Sequence, residues 1–185
     1  MEKRSLGKLL LGVAYLEGDF VLRSGRRSRY YLDKYLFETE PRVLRGLVRE
    51  MALMIRNRLA GGVTYHRLAA PELGAVALAA GLSLELGLPF LIVRKEAKAY
   101  GTSRGVEGTF ARGEQVALVE DIVTSGGAAL SAAQRLREGG LVVADVFCVV
   151  DREEGGQEAL AAAGLTLHPL FTASELGIAA GAEGP

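Results

Sequence analysis

Two adjacent carboxylates followed by a hydroxyl- and glycine-rich turn are the residues of this chain best suited to chemistry. Glu120 and Asp121 follow the apolar run 116–119, and the segment 124–128 then precedes a helical pattern. Backbone N–H groups at a helix N-terminus bind phosphate, and glycine lets such a ligand approach closely. Carboxylates beside the phosphate accept hydrogen bonds from sugar hydroxyls. The spacing therefore indicates a site for a sugar phosphate.

The same residues also have an interpretation without a ligand. A strand, a turn and a helix N-cap would favour acids near the helix dipole. Two acids placed directly at a strand end favour the ribose-phosphate interpretation instead. The segment lacks the Gly-Lys-Ser/Thr ending of a Walker loop, and it is not the Gly-x-Gly-x-x-Gly dinucleotide fingerprint.

Two other segments carry local positive charge on a chain whose formal net charge is zero. Residues 21–34 have a net charge of +4, and residues 94–104 have a net charge of +3. Overall neutrality disfavours nucleic-acid binding by bulk charge. Local basic clusters instead suit a polyanionic small molecule.

The hydrophobic pattern predicts the elements that must position these segments. Helices are predicted over 5–16, from Thr39 and Pro41 to Gly61, and over 74–87, 126–138 and 157–163. Strands are predicted over 63–69, 89–93, 116–119, 141–150 and 165–170, with an extended excursion at 19–37 and a long loop at 95–113. Apolar strands separated by helices indicate an α/β fold with a parallel sheet covered on both faces. Ligands of such sheets bind beyond the carboxyl ends of the strands.

Composition and length restrict the class of protein. The chain has 185 residues, of which 49% are hydrophobic and 24% charged, as expected for one globular domain over 1–185. No segment reaches the ~18 consecutive apolar residues of a membrane span. A single cysteine, Cys148, excludes a disulfide within the chain and suits the cytoplasm. His66 and His168 are interpreted as structural, because no His/Cys cluster supports a zinc site.

The segment 120–128 resembles the phosphoribosyl-pyrophosphate (PRPP) signature of type I phosphoribosyltransferases. That resemblance implies that Glu120 and Asp121 hold the ribose hydroxyls and that the following turn cradles the 5′-phosphate. The PRPP-binding residues in this segment are then Glu120, Asp121, Ile122, Val123, Thr124, Ser125, Gly126, Gly127 and Ala128. The implied fold has a parallel sheet flanked by helices. It also has a small N-terminal hood, formed by about residues 1–40 and the C-terminal tail.

The N-terminal stretch from Phe20 to Asp33 resembles a motif of the orotate phosphoribosyltransferase family. By that resemblance the orotate-binding residues here are Arg23, Tyr30 and Tyr31, joined by Thr124 from the PRPP segment. Aromatic rings stack on a flat heterocycle, and a cation meets its carboxylate. The alternative is an edge strand whose two tyrosines point to opposite faces, one packed and one exposed.

Residues 94–101 are similar to the catalytic loop of the same family. The resemblance assigns Arg94, Lys95, Lys98 and Tyr100 to PRPP and makes Lys98 the main catalytic group. Cations there would neutralise the charge that builds on departing pyrophosphate. The resemblance also implies a homodimer in which this loop enters the partner subunit's site. The alternative is a solvated basic loop, as most charged runs are.

Two further segments complete the resemblance. The segment 151–156 is similar to one in which an arginine, here Arg152, meets the orotate base. A polar turn between a strand and a helix would explain it equally simply. The loop at 68–75 is the weakest match. Some relatives have a lysine in this loop, and this chain has none there.

The function that the resemblance implies is the Mg²⁺-dependent transfer of ribose 5-phosphate from PRPP to orotate, in pyrimidine biosynthesis. Its partners are then the two small-molecule substrates and a second copy of the chain, without nucleic acid or membrane. The magnesium would be held mainly by PRPP and water. Two alternatives stay open at this point. In the first, the accepting base is a purine or uracil instead of orotate. In the second, the chain is a regulator that keeps the PRPP site as a sensor without turnover.

Overall fold

The computed structural model of the chain describes residues 2–21, 27–95 and 105–178. Three predicted site residues, Arg23, Lys98 and Tyr100, lie outside these ranges. The elements in chain order are α1 (Lys3–Ala14), β1 (Tyr15–Val21), β2 (Arg27–Leu32), α2 (Lys34–Glu38), α3 (Pro41–Ala60), β3 (Arg67–Pro71), α4 (Val76–Leu86), β4 (Phe90–Val93), β5 (Val106–Glu107), β6 (Gln115–Val123), α5 (Gly127–Glu138), β7 (Val142–Asp151), α6 (Gly156–Ala162) and β8 (Thr166–Thr172).

The central feature is a six-stranded sheet in the order β5-β4-β3-β6-β7-β8. Strands β4, β3, β6, β7 and β8 run parallel to one another, and β5 pairs with β4 in the antiparallel direction. The predicted α/β fold with a mostly parallel sheet is therefore confirmed. The two-residue strand β5 falls inside the predicted long loop. It was not predicted, because so short a strand leaves no periodic signal in the sequence.

Two apolar layers cover the faces of the sheet. One contains Phe37, Leu47 and Met51 from the helices α2 and α3, and the other contains Leu136 of α5 and Leu160 of α6. The apolar positions of α3 recur at helical spacing, so one face of this helix is buried. Its N-cap is Glu40, one residue after the predicted start at Thr39, and Pro41 occupies the first turn.

Strand β6 differs from its prediction in a way that concerns the acids. It continues to Val123, so Glu120 and Asp121 lie inside the paired strand, near its carboxyl end, rather than after it. The register with β7 is maintained there, with Glu120 opposite Cys148 and Ile122 opposite Val150. Two other boundaries also differ. The strand predicted from residue 63 starts at Arg67, and the first helix, predicted to residue 16, ends at Ala14 because β1 begins at Tyr15.

The N-terminal hairpin packs against the end of the described chain. Strands β1 and β2 form an antiparallel pair, and Tyr30 of β2 stacks on Tyr15 of β1 with ring centroids 5.6 Å apart. Tyr30 also packs with Ala173 and Ile178, which follow β8. The hairpin thus lies beside the carboxyl ends of β7 and β8. None of the helices in the described ranges is both long and apolar enough to span a membrane.

Candidate active site

A cleft of about 780 Å³ opens at the carboxyl ends of β3, β4 and β6. It brings together most of the predicted PRPP-binding residues, namely Arg94, Lys95, Glu120, Asp121, Ile122, Thr124, Ser125, Gly127 and Ala128. Val123 and Gly126 are buried behind its surface. The 120–128 segment and the start of the 94–101 segment, which sequence patterns singled out separately, therefore share one site, as expected for an open parallel sheet.

The turn from β6 into α5 has the shape of an anion site. Gly126 adopts the left-handed conformation with φ +78°, and α5 begins at Gly127 with no side-chain cap from the described residues. Ser125, Gly127 and Ala128 are exposed to the cleft. The first backbone N–H groups of a helix have no partner within it, so they are available to a phosphate.

A second glycine keeps this turn in place. Gly156, the first residue of α6, lies directly behind it. A Cβ at Gly156 would overlap the carbonyl oxygen of Thr124 and lie 2.5 Å from Cγ1 of Val123. Gly156 therefore serves the packing of the 124–128 turn, whereas Gly155 serves its own turn by adopting φ +87°.

The two acids of β6 are almost completely buried, with 4% of Glu120 and 3% of Asp121 exposed. Asp121 is held on both sides. Its Oδ1 accepts a hydrogen bond from the backbone N–H of Ile122 at 2.6 Å, and its Oδ2 lies 2.7 Å from Nζ of Lys34. The Oδ2 contact is an ion pair without hydrogen-bond geometry, and Oε1 of Glu120 has no hydrogen-bond partner among the described residues. Burial, with the charge of Asp121, raises the pKa of Glu120 to about 8.

Helix α2 supplies two site residues that sequence reasoning did not identify. Lys34 lines the cleft. Glu38 is 5% exposed, and burial together with the nearby charge of Asp121 raises its pKa to about 8. Two signals were available in the sequence. Lys34 belongs to the basic segment 21–34, and its spacing of four from Glu38 places both on one helix face.

The start of the predicted catalytic loop is anchored to the rim of the cleft. Nη1 of Arg94 lies 3.9 Å from Glu72 and 3.8 Å from Glu107. The backbone N–H of Lys95 donates a hydrogen bond to Glu72 at 2.7 Å, and the guanidinium of Arg135 donates to the carbonyl of Lys95. Glu72 and Arg135 also line the cleft and are not among the predicted site residues, because neither belongs to a charged cluster or motif that the sequence analysis identified as a site.

The predicted orotate-binding residues separate into two groups. The tyrosines point to opposite faces of β2, as in the alternative interpretation. Tyr30 is 4% exposed and its hydroxyl accepts a hydrogen bond from Arg152 at 2.8 Å, whereas Tyr31 is 39% exposed and contacts Phe20. Arg152 also pairs with Glu154 at 2.9 Å. Of the described residues, these three predicted side chains lie outside the lining of the cleft, and Thr124 lies within it.

The chain is similar in sequence to known phosphoribosyltransferases. The model of the phosphoribosyl transferase domain matches residues 45–164. An orotate phosphoribosyltransferase of Methanocella arvoryzae is 48% identical over 159 residues, which cover 86% of this chain and 87% of that protein. The chain belongs to the orotate phosphoribosyltransferase family. It is an enzyme of that family, with the phosphoribosyltransferase fold.

Solved structures agree with this assignment. The Leishmania donovani UMP synthase structure has a TM-score of 0.83 and 28% identity. It covers 95% of this chain, which spans only 37% of that longer protein. The Mycobacterium tuberculosis orotate phosphoribosyltransferase in complex with PRPP has a TM-score of 0.77 and 28% identity, covering 95% of this chain and 98% of that one.

The cysteine and the two histidines have contacts that fit structural roles. Cys148 is fully buried, and burial raises the pKa of its thiol well above the usual range. Nδ1 of His66 accepts a hydrogen bond from the backbone of Gln115, and Nε2 of His168 lies 2.6 Å from the buried Asp145. Asp145 lies near the start of β7, far along the strand from its carboxyl end.

Proposed function

We propose that the enzyme transfers the ribose 5-phosphate group of PRPP to N1 of orotate and releases pyrophosphate. The bond between N1 and the anomeric carbon forms as the bond from that carbon to the pyrophosphate oxygen breaks. The product is orotidine 5′-monophosphate. The observation that carries the proposal is the uncapped N-terminus of α5 beside the two buried acids of β6.

The protein works in this proposal through alignment and preorganised charge. The N–H groups at the start of α5 bind the 5′-phosphate, and Thr124 and Ser125 add hydroxyl donors. Asp121 and Glu120 hold the ribose hydroxyls. The unpartnered Oε1 of Glu120 supports this role, because a buried oxygen without a partner is costly unless a ligand satisfies it.

The leaving pyrophosphate is expected at the basic rim. Arg94 and Lys95 line the cleft there, and the family resemblance adds Lys98 as the main catalytic group and Tyr100 beside it. In the same way, Arg23 joins Tyr30, Tyr31 and Arg152 at the base. The contact between Tyr30 and Arg152 supports this grouping, since it brings two of the four together from distant parts of the chain.

Magnesium is proposed to enter with PRPP, held by phosphate oxygens and water, which suits its preference for oxygen ligands and retained waters. When bound, it would neutralise charge on the pyrophosphate. The donor set of the cleft fits a site of this kind. Oδ1 of Asp121 accepts a hydrogen bond and its Oδ2 pairs with Lys34, while Oε1 of Glu120 is a buried carboxyl oxygen without a hydrogen-bond partner among the described residues.

The proposal extends to the organisation of the molecule. The whole chain forms one domain, with a hood made by about residues 1–40 and the C-terminal tail. Two copies form a dimer in which the loop of one enters the site of the other. The enzyme acts in the cytoplasm, in keeping with its single buried cysteine.

The test is the loss of orotate ultraviolet absorbance when the protein is mixed with orotate, PRPP and Mg²⁺. We expect a decrease that requires PRPP and is absent in a control without it. Uracil, hypoxanthine and adenine, added at concentrations near that of orotate, should not slow this decrease. An unchanged absorbance with orotate and product formation with another base would contradict the assigned base. PRPP binding without product from any base would favour a sensor.

A further inference from the structure

Helix α2 contributes a charged pair that no motif assigns. Asp33 caps the helix by accepting a hydrogen bond from Tyr35, and the buried Phe37 fixes its orientation against the core. Lys34 and Glu38, four residues apart, are then on one face of the helix. Both interact with Asp121 at the end of β6. An element outside the sheet therefore determines the surroundings of a ribose-site acid.

The contact between Lys34 and Asp121 is closely packed. Nζ and Oδ2 are 2.7 Å apart, and the loop after β3 closes over them at Gly74. A Cβ at Gly74 would overlap Oδ2 of Asp121 and lie 2.6 Å from Nζ of Lys34. The ion pair thus joins α2, β6 and the 71–75 loop at one point. Because Asp121 is held on its other side by the N–H of Ile122, its carboxylate has little freedom to rotate.

The charges of this cluster have to be compatible with a polyanionic substrate. Glu38, Glu120 and Asp121 are three buried carboxyl groups, and Lys34 is the ammonium group in contact with them. Burial favours the neutral forms of Glu38 and Glu120, whose pKa values are both raised to about 8. Burial lowers the pKa of Lys34, but the hydrogen bond and the charge of Asp121 outweigh it and raise the pKa. The ammonium group of Lys34 therefore offsets negative charge in this cluster of buried acids.

We propose that Lys34 is a positioning residue of the PRPP site, which holds the Asp121 carboxylate in place for a ribose hydroxyl and supplies the positive charge that lets PRPP bind beside buried acids. This inference rests on the proposed function. It adds an interaction from α2 to a site otherwise built on the sheet edge. It also predicts selectivity, because Lys34 acts on the ribose side and lies apart from the Tyr30 and Arg152 contact.

Cysteine chemistry tests the proposal directly. Lys34→Cys removes the ammonium, and alkylation of the new thiol with 2-bromoethylamine displaces bromide and restores an amine at nearly the lysine length. The chain suits this experiment because its one native cysteine, Cys148, is fully buried. Lys3→Cys, treated identically, is the matched control. Lys3 also pairs with a carboxylate, Glu175 at 3.3 Å, but on α1 away from the cleft.

The readouts are the Kd for PRPP with Mg²⁺ by titration calorimetry, KM for each substrate, and Tm. For Lys34→Cys we expect Kd and KM for PRPP to rise about tenfold or more, equivalent to ~1.4 kcal/mol. KM for orotate should stay within about twofold. Aminoethylation should recover most of the PRPP affinity, and neither Lys3→Cys nor its alkylated form should change it.

Two outcomes would overturn the inference. One is PRPP affinity in Lys34→Cys equal to that of the wild type. The other is aminoethylation that restores Tm without restoring PRPP affinity, which would make the ion pair purely structural. Failure of the proposed function is distinguishable, because it would appear in the wild-type protein as absent PRPP binding or absent turnover of orotate.

Discussion

At the scale of single residues, Glu38 differs from the exposed acids of the chain because it is buried beside Asp121. Its pKa is raised to about 8, so the folded protein retains a proton that the unfolded chain has released above its ordinary pKa of 4.5. The stability associated with this group is full below pH 4.5 and is lost as pH rises through about 8. Glu120 follows the same direction for the same reason.

Glu38→Gln should therefore become more stable relative to wild type as pH rises from about 5 to 8.5. A neutral amide has no proton to lose, so the relative gain should reach at least about 1.4 kcal/mol, the equivalent of one pKa unit. Chemical unfolding of both proteins across this pH range measures it. Glu17→Gln, at an exposed position on β1, is the control and should give a constant difference. A constant difference for Glu38→Gln as well would contradict the raised pKa.

At the scale of elements, sequence patterns predict those whose signal is long and miss those whose signal is short. The apolar runs around 116–123 and 141–151 are long enough to mark β6 and β7, and the paired acids mark the site at their end. Helix α2 has five residues and β5 has two, too few for a periodic pattern. The contacts of Lys34 and Glu38 depend on α2, so they required the structure.

The turn between β6 and α5 gives a prediction at this scale. Gly156→Ala should displace Thr124 and disturb the proposed phosphate site, because the added methyl group overlaps the Thr124 carbonyl oxygen. We expect a loss of about 2 kcal/mol in unfolding free energy and a rise in KM for PRPP. Thermal unfolding and kinetics measure these. Gly12→Ala is the matched control, since its Cβ meets nothing within 4 Å and α1 should gain helix propensity. Equal behaviour of the two variants would refute this packing argument.

At the scale of the whole molecule, the distribution of charge matters more than its sum. The formal net charge is zero, yet basic residues gather near the cleft while its two acids from β6, Glu120 and Asp121, are buried. Such an arrangement attracts a polyanion locally without a broad basic surface. Segments distant in sequence also meet in the fold. Lys34 from the N-terminal part meets β6, and the hairpin meets the residues that follow β8.

The proposed sharing of the catalytic loop between two subunits is testable by mixing inactive variants. Lys98→Ala lacks the proposed catalytic group on the loop, and Asp121→Asn lacks one of the two acids proposed to bind the ribose. If each loop serves the partner's site, a mixed dimer contains one site with both residues intact. Half of the dimers are mixed after random exchange of equal amounts, so about a quarter of wild-type activity should return.

The same mixture separates this arrangement from its alternative without a further structure. If the loop serves its own subunit, each site of a mixed dimer carries one defect and activity stays at the level of the separate variants. Exchange of subunits between the dimers must be verified. A copy of one variant with a mass tag suffices, because mixed dimers then differ in mass from both parents. Two preparations of Lys98→Ala mixed together are the negative control, since no combination of these subunits restores the lysine. Recovery that requires both variants would therefore assign Lys98 to the partner's site.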